Sequence, residues 1–186
     1  METSIIISGF GGQGTLFAGQ VLAYAALEAD QQVTWIPSYG PEMRGGTAHC
    51  TVIISDQEIG SPIVRRPNIV IALNLPSLDK YEKLILPGGL MVANTSLINR
   101  QVERSDIDAV HIPANNIAEE IGNMRLANMV ALGAMLISRP VLPLEVIEKA
   151  LEDHIPERHR KLLPANFEAF RRGAAYAQEI LEKTIS

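Results

Sequence analysis

The sequence predicts an α/β protein: a three-layer sandwich with a mostly parallel sheet, an antiparallel hairpin and a helical C-terminal part. Three observations point there. Short β-branched runs alternate with helical patterns through the first half of the chain. A glycine-rich turn joins the first run to the first helix, and strand signals cease after Ile112.

Ser4-Ile5-Ile6-Ile7-Ser8 is apolar and bounded by glycine, the pattern of a strand buried on both faces. Residues 15–29 follow as a helix, and Ala18, Gly19, Val21, Leu22, Ala25 and Ala26 give it a small-residue face that can lie close on a sheet. Residues 33–36 read as the second strand, which Pro37 helps to stop, and a polar, glycine-rich loop occupies 38–46. Residues 47–55 form another strand, from which Asp56-Gln57 turns so that Glu58-Ile59-Gly60 pairs back as a hairpin. Residues 68–73, 90–93 and 108–112 are further strands, with a helix at 77–84 and a turn at Pro87-Gly88-Gly89.

The second half is helical. Residues 117–122 make a short helix or turn. Residues 126–138 are apolar nearly all round; at about thirteen residues they suit a core or interface helix and are too short to span a bilayer. Pro143 opens a helix with Leu144, Ile147 and Leu151 on one face and Glu145 and Lys149 as an i,i+4 pair. The last helix lines up Phe167, Phe170, Ala174, Ala177 and Leu181, with Glu168 and Arg172 paired on its solvent side.

Composition narrows function. With 47% hydrophobic and 20% charged residues the chain has a globular, ordered composition, and its 186 residues suit one domain, residues 1–186. A net charge of -5 argues against nucleic acid and against anionic membrane surfaces. The N-terminus lacks the basic segment of a signal peptide, so a cytoplasmic setting is expected. The single cysteine, Cys50, cannot hold an iron–sulfur cluster, which needs about four thiolates. His49, His111, His154 and His159 have no zinc spacing.

Gly9-Phe10-Gly11-Gly12-Gln13-Gly14 is a GxGxxG loop placed after a strand and before a helix that starts near Thr15. Backbone N–H groups there face a helix N-terminus, so a phosphate is the natural guest, and the loop is Rossmann-like. The acidic residue that binds ribose hydroxyls at the end of the second strand is absent, which weighs against a whole nicotinamide dinucleotide. The second loop brings Ser38, Tyr39, Gly40, Arg44, Gly45 and Gly46 to the same carboxyl edge, where Arg44 offers a fork matched to phosphate or carboxylate. Cys50 and His49 lie within a strand and read as packed residues. His154 and His159 fall in a charged segment that reads as solvated surface. Asn128, a lone amide in the apolar helix, ties helices together or faces a subunit. No nucleophile, base and orienting acid assemble into a self-contained catalytic set.

The run from Ile6 to Gly14, the segment Ser38-Tyr39-Gly40-Pro41-Glu42-Met43-Arg44-Gly45-Gly46-Thr47, the stretch around Asn128-Met129-Val130 and the Asn166-Phe167-Glu168-Ala169-Phe170 stretch together resemble the gamma subunit of 2-oxoacid:ferredoxin oxidoreductases, over nearly the whole chain. That resemblance implies oxidative decarboxylation of a 2-oxoacid with coenzyme A to acyl-CoA, CO2 and reduced ferredoxin. It implies a non-autonomous subunit that helps to form the coenzyme A site. Thiamine diphosphate and iron–sulfur clusters are then expected in partner subunits, one thiamine-binding and one ferredoxin-like, with no cofactor held tightly by this chain and with ferredoxin reached through the complex. It implies a separate subunit, most similar to 2-oxoglutarate or general 2-oxoacid types, that self-associates as a homodimer when isolated. The cofactor-binding set expected on this basis is Gly9, Gly11, Gly12, Gln13, Gly14, Thr15, Ser38, Tyr39, Gly40, Arg44, Gly45 and Gly46. Two other readings are an independent nucleotide- or flavin-binding Rossmann-like protein and a ligand-sensing or assembly protein. The missing ribose acid and catalytic set weigh against the first, and the two glycine loops together against the second.

Overall fold

The computed structural model describes residues 1–38 and 47–185. Six strands form one sheet: β1 (Glu2–Phe10), β2 (Gln32–Ser38), β3 (Thr47–Ser55), β4 (Ile69–Ala72), β5 (Leu90–Asn94) and β6 (Asp108–Ile112). Their order is β2-β3-β1-β4-β5-β6. β1, β4, β5 and β6 pair in parallel, whereas β3 runs antiparallel to both β1 and β2. Only β3 is reversed, so the sheet is mostly parallel.

Six helices cover it: α1 (Thr15–Glu28), α2 (Leu75–Tyr81), α3 (Ala114–Glu120), α4 (Ala127–Ser138), α5 (Leu144–His154) and α6 (Leu163–Ile185). The strand alternation divides the core. Ile5, Ile7, Ile69, Ile71, Leu90 and Val92 face the larger apolar cluster built with α1, α4, α5 and α6. Ile6, Val70, Ala72, Met91 and Ala93 face a smaller one, closed by α2 and residues of the 98–107 segment. Burial on both faces is why these strands read as unbroken apolar runs.

The helical half is held by backbone-to-backbone approach. A Cβ on Gly133 of α4 would overlap the Phe170 carbonyl oxygen of α6, and one on Gly173 would overlap the Val130 carbonyl oxygen of α4. Small residues at both positions let the two helices cross without a side-chain layer between them. Phe170, Ala174 and Ala177 are buried as the periodicity predicts.

Four expectations change. Glu58-Ile59-Gly60 forms no strand; β3 finds its antiparallel partners in β2 and β1. Pro37 does not end β2, which continues to Ser38 with Pro37 opposite Cys50. β2 is an edge strand, where a missing N–H costs no ladder bond if it faces outward. Arg172 pairs with Glu120 of α3 instead of Glu168. Glu145 and Lys149 make no ion pair among the described residues; Arg171 instead reaches Glu148, at 2.6 and 2.8 Å, across α5 and α6. Pairs that close tertiary gaps outcompete those available within one helix.

Candidate functional site: the glycine loop and its crevice

The glycine loop leaves β1 at the carboxyl edge of the sheet and enters α1. Gln13 N–H donates to the Phe10 carbonyl at 3.1 Å, closing the turn. The Gln13 side chain folds back over Gly9: its Oε1 accepts from Phe10 N–H at 2.5 Å and its Nε2 donates to the Leu73 carbonyl at 3.5 Å. Gln13 therefore fastens β1 to the end of β4 and spends its amide inside the loop. Thr15 is buried, and its carbonyl accepts from the Cys50 thiol at 3.3 Å. The N–H groups of Gly11, Gly12 and Gly14 have no acceptor among the described residues. They are the donors that the loop keeps open at the N-terminus of a 14-residue helix.

Gly14 caps α1 with φ +73°, a left-handed geometry that suits glycine. It also lies against Asn128, whose Nδ2 donates to the Gly14 carbonyl at 2.9 Å while its Oδ1 accepts from Met129 N–H at 2.9 Å. Asn128 thus resolves its two options: it ties α4 to the glycine loop. The N-termini of α1 and α4 converge as a result.

Between them opens a cavity of about 540 Å³. Gly12, Gly14 and Phe17 form one wall; Asn123, Arg125, Leu126 and Asn128 form a second; Ile155, Pro156, His159, Leu162 and Asn166 form the third. Arg125 and His159 are not among the expected site residues; His159 is exposed, as the sequence suggests, and also lines the cavity. The other charged-segment histidine, His154, also has a partner: its ring stacks on Tyr24 at 3.9 Å and contacts Glu28 Oε1 at 2.7 Å, joining α5 to α1.

The second loop is placed only at its ends. Ser38 pairs with His49 on one side of β3 and Ser8 pairs with His49 on the other. The two loops do not follow adjacent strands, because β3 intervenes and sets their roots roughly 10 Å apart, two strand spacings. Both still emerge at the same sheet edge. Tyr39, Gly40, Arg44, Gly45 and Gly46 lie outside the described residues.

The remaining titratable groups near this edge are packed. Burial and the nearby Lys80 charge hold the His49 pKa below its ordinary value, and its ring contacts Tyr81 at 5.9 Å. Burial pushes the Cys50 thiol up to about 12, far from a nucleophile at neutral pH. Among the described residues no cluster of His, Cys, Asp or Glu could hold a metal ion, and no helix is long and apolar enough to cross a membrane.

The fold and the crevice define an α/β protein with a GxGxxG loop at a two-helix junction. The chain belongs to the pyruvate ferredoxin/flavodoxin oxidoreductase family, whose model matches residues 4–176. It is 36% identical over 183 residues to the 2-oxoglutarate synthase subunit KorC of Methanocaldococcus jannaschii, covering 97% of this chain and 96% of that one. It is also 36% identical over 182 residues to the ketoisovalerate oxidoreductase subunit VorA of Methanothermobacter thermautotrophicus, but spans only 38% of that longer relative. Among solved structures, the gamma subunit of a keto/oxoacid ferredoxin oxidoreductase from Geobacter sulfurreducens superimposes with a TM-score of 0.81 at 32% identity, covering 95% of this chain and 99% of that one. A 2-oxoglutarate:ferredoxin oxidoreductase from Magnetococcus marinus, with 2-oxoglutarate, coenzyme A and succinyl-CoA bound, superimposes with a TM-score of 0.85 at 25% identity, covering 96% of this chain and 31% of that one.

Proposed function

We propose that residues 1–186 act as one gamma-type unit of a 2-oxoacid:ferredoxin oxidoreductase, which converts a 2-oxoacid and coenzyme A to acyl-CoA and CO2 and passes electrons to ferredoxin. The chain contributes a coenzyme A-binding surface and no reacting group. Thiamine diphosphate and the iron–sulfur clusters belong to thiamine-binding and ferredoxin-like partner subunits in the cytoplasm, consistent with a single cysteine buried against the Thr15 carbonyl. The observation that carries this reading is the trio of open N–H groups at Gly11, Gly12 and Gly14, of which Gly12 and Gly14 line a cavity large enough for a nucleotide-sized group. The Magnetococcus relative, solved with coenzyme A, shares the fold.

In this reading the N–H groups of Gly11, Gly12 and Gly14 receive phosphate oxygens. Gly9, Gln13 and Thr15 hold the loop in shape, a positioning role. Ser38 roots the second loop, and Tyr39, Gly40, Arg44, Gly45 and Gly46 are the further residues this reading assigns to the site. The 2-oxoglutarate type is the preferred assignment, since KorC matches over nearly its full length.

The test is co-expression with the thiamine-binding and ferredoxin-like partners and assay of 2-oxoacid-dependent dye reduction. Coenzyme A-dependent turnover by the complex, with an inert isolated chain, supports the assignment. Turnover by the partners alone at an unchanged coenzyme A KM overturns it.

A further inference from the structure

The chain carries a net charge of -5, yet the glycine-loop cavity has an arginine and a histidine on its lining and no acidic residue. Arg125 stands on the 3-10 turn that leads into α4, and His159 on the turn that leads into α6; both line the cavity. Arg125 has no acidic partner among the described residues, whereas Arg100, Arg104, Arg139 and Arg172 are ion-paired. Arg125 is exposed, so its guanidinium is free to meet an anion that also reaches the N-termini of α1 and α4. The lining between these side chains includes the apolar Phe17 and Leu126. Open backbone donors at Gly12 and Gly14, a guanidinium, an imidazole and apolar lining residues are the recognition elements for a phosphorylated ligand with a flat or aliphatic body.

We propose that Arg125 and His159 form a second anion subsite, supplied by the helical half, which grips a phosphate of a nucleotide-sized ligand whose other phosphates sit on the glycine loop. This rests on the proposed function only in naming coenzyme A as the natural source of that ligand. It places an anion anchor on the helical half of the protein, so the ligand's nucleotide end enters between α1 and α4.

The probe is adenosine 3′,5′-bisphosphate, titrated calorimetrically into the full-length chain, with pantetheine as the phosphate-free control. The bisphosphate binds the unmodified chain, and binding weakens as salt rises. R125Q weakens it on the order of tenfold or more, the loss expected for one charge-assisted contact, and H159Q weakens it less. R158Q removes the same charge from a neighbouring position outside the cavity lining and leaves binding within about twofold, which separates direct contact from the general field. Equal bisphosphate affinity for R125Q and the unmodified chain overturns the subsite. So does an R125Q chain that binds the bisphosphate normally but no longer joins its partners, because Arg125 is then a docking residue. Bisphosphate binding that depends on Arg125, in a complex that turns over no 2-oxoacid, keeps the subsite and overturns the proposed function instead.

Discussion

Replacing Gly14 with alanine, alone and together with Asn128→Ala, tests how the glycine loop is held. At φ +73° an alanine costs about 1–2 kcal/mol in left-handed backbone. Its Cβ would stand 2.5 Å from Asn128 Nδ2 and 3.1 Å from Cγ. Asn128 is buried and held through both ends of its amide, so it cannot swing aside without losing a bond. Such overpacking costs about 1–3 kcal/mol, which brings Gly14→Ala to about 2–5 kcal/mol. Asn128→Ala alone costs about 1–2 kcal/mol: it loses the bond to the Gly14 carbonyl, but that carbonyl keeps its helical bond from Ala18 N–H at 3.1 Å. In the double variant the overlap is gone and only the backbone cost and the lost bond remain, so the two changes couple favourably by about 1–3 kcal/mol. Urea unfolding of the full chain, followed by far-ultraviolet circular dichroism, gives all four corners of the cycle. If Gly14→Ala costs the same in both backgrounds, within about 0.5 kcal/mol, Asn128 does not set the position of the loop and the reasoning fails.

Three further outcomes follow from other parts of the molecule. Gly173→Ala drives a Cβ into the Val130 carbonyl, so it lowers stability by at least about 1–3 kcal/mol and Tm by about 2–4 °C for each of those, and calorimetry that finds no shift would mean that α4 and α6 do not cross so closely. Glu82 is mostly buried; burial alone would raise its pKa, but hydrogen bonds from Glu103 N–H, Arg100 and Arg104 N–H outweigh it and hold the carboxyl below its ordinary 4.5. Its contribution is therefore present above that value and lost as pH falls through the lower folded pKa, so Glu82→Gln flattens the acid limb of a stability–pH curve measured by urea midpoints. Cys50, with its thiol pushed up to about 12, should resist iodoacetamide in the native chain at neutral pH and react promptly once urea unfolds it; rapid native alkylation would contradict its burial.

The parts of the fold that could be read from the sequence are those governed by neighbours in the chain. The apolar run at Ile5-Ile6-Ile7 announces a two-sided strand, the small-residue face of Ala18, Ala25 and Ala26 a close-packed helix, and the GxGxxG spacing the turn between them. Strand pairing was not readable in the same way. Nothing local in Thr47–Ser55 says that it inserts between β1 and β2, so the antiparallel partner was sought in the nearest downstream residues. Pro37 looked like a terminator because an edge position is a tertiary property. At the candidate site, Gly14 and Asn128 each carried a visible signal, a glycine at a helix start and an amide in an apolar helix. Arg125 and His159 carried none. They are far apart in sequence, His159 sits among other charges, and both become notable only when the turns before α4 and α6 bring them to one cavity. Gln13 shows the converse: its place in the motif suggested a ligand contact, whereas its amide closes the loop on Leu73.

The central claim is that this chain serves the coenzyme A step of a multi-subunit oxidoreductase. The most direct measurement is the coenzyme A KM, alongside the single-turnover decarboxylation rate, of the assembled complex carrying Gly11→Asp, a position with open space and no left-handed backbone. An acidic side chain there stands against the open N–H groups of the loop and repels a phosphate. The account predicts a KM raised on the order of tenfold or more, with the decarboxylation rate on partner-bound thiamine diphosphate unchanged within about twofold. An unchanged KM in an intact complex, or a decarboxylation rate that falls in step with it, would contradict the claim.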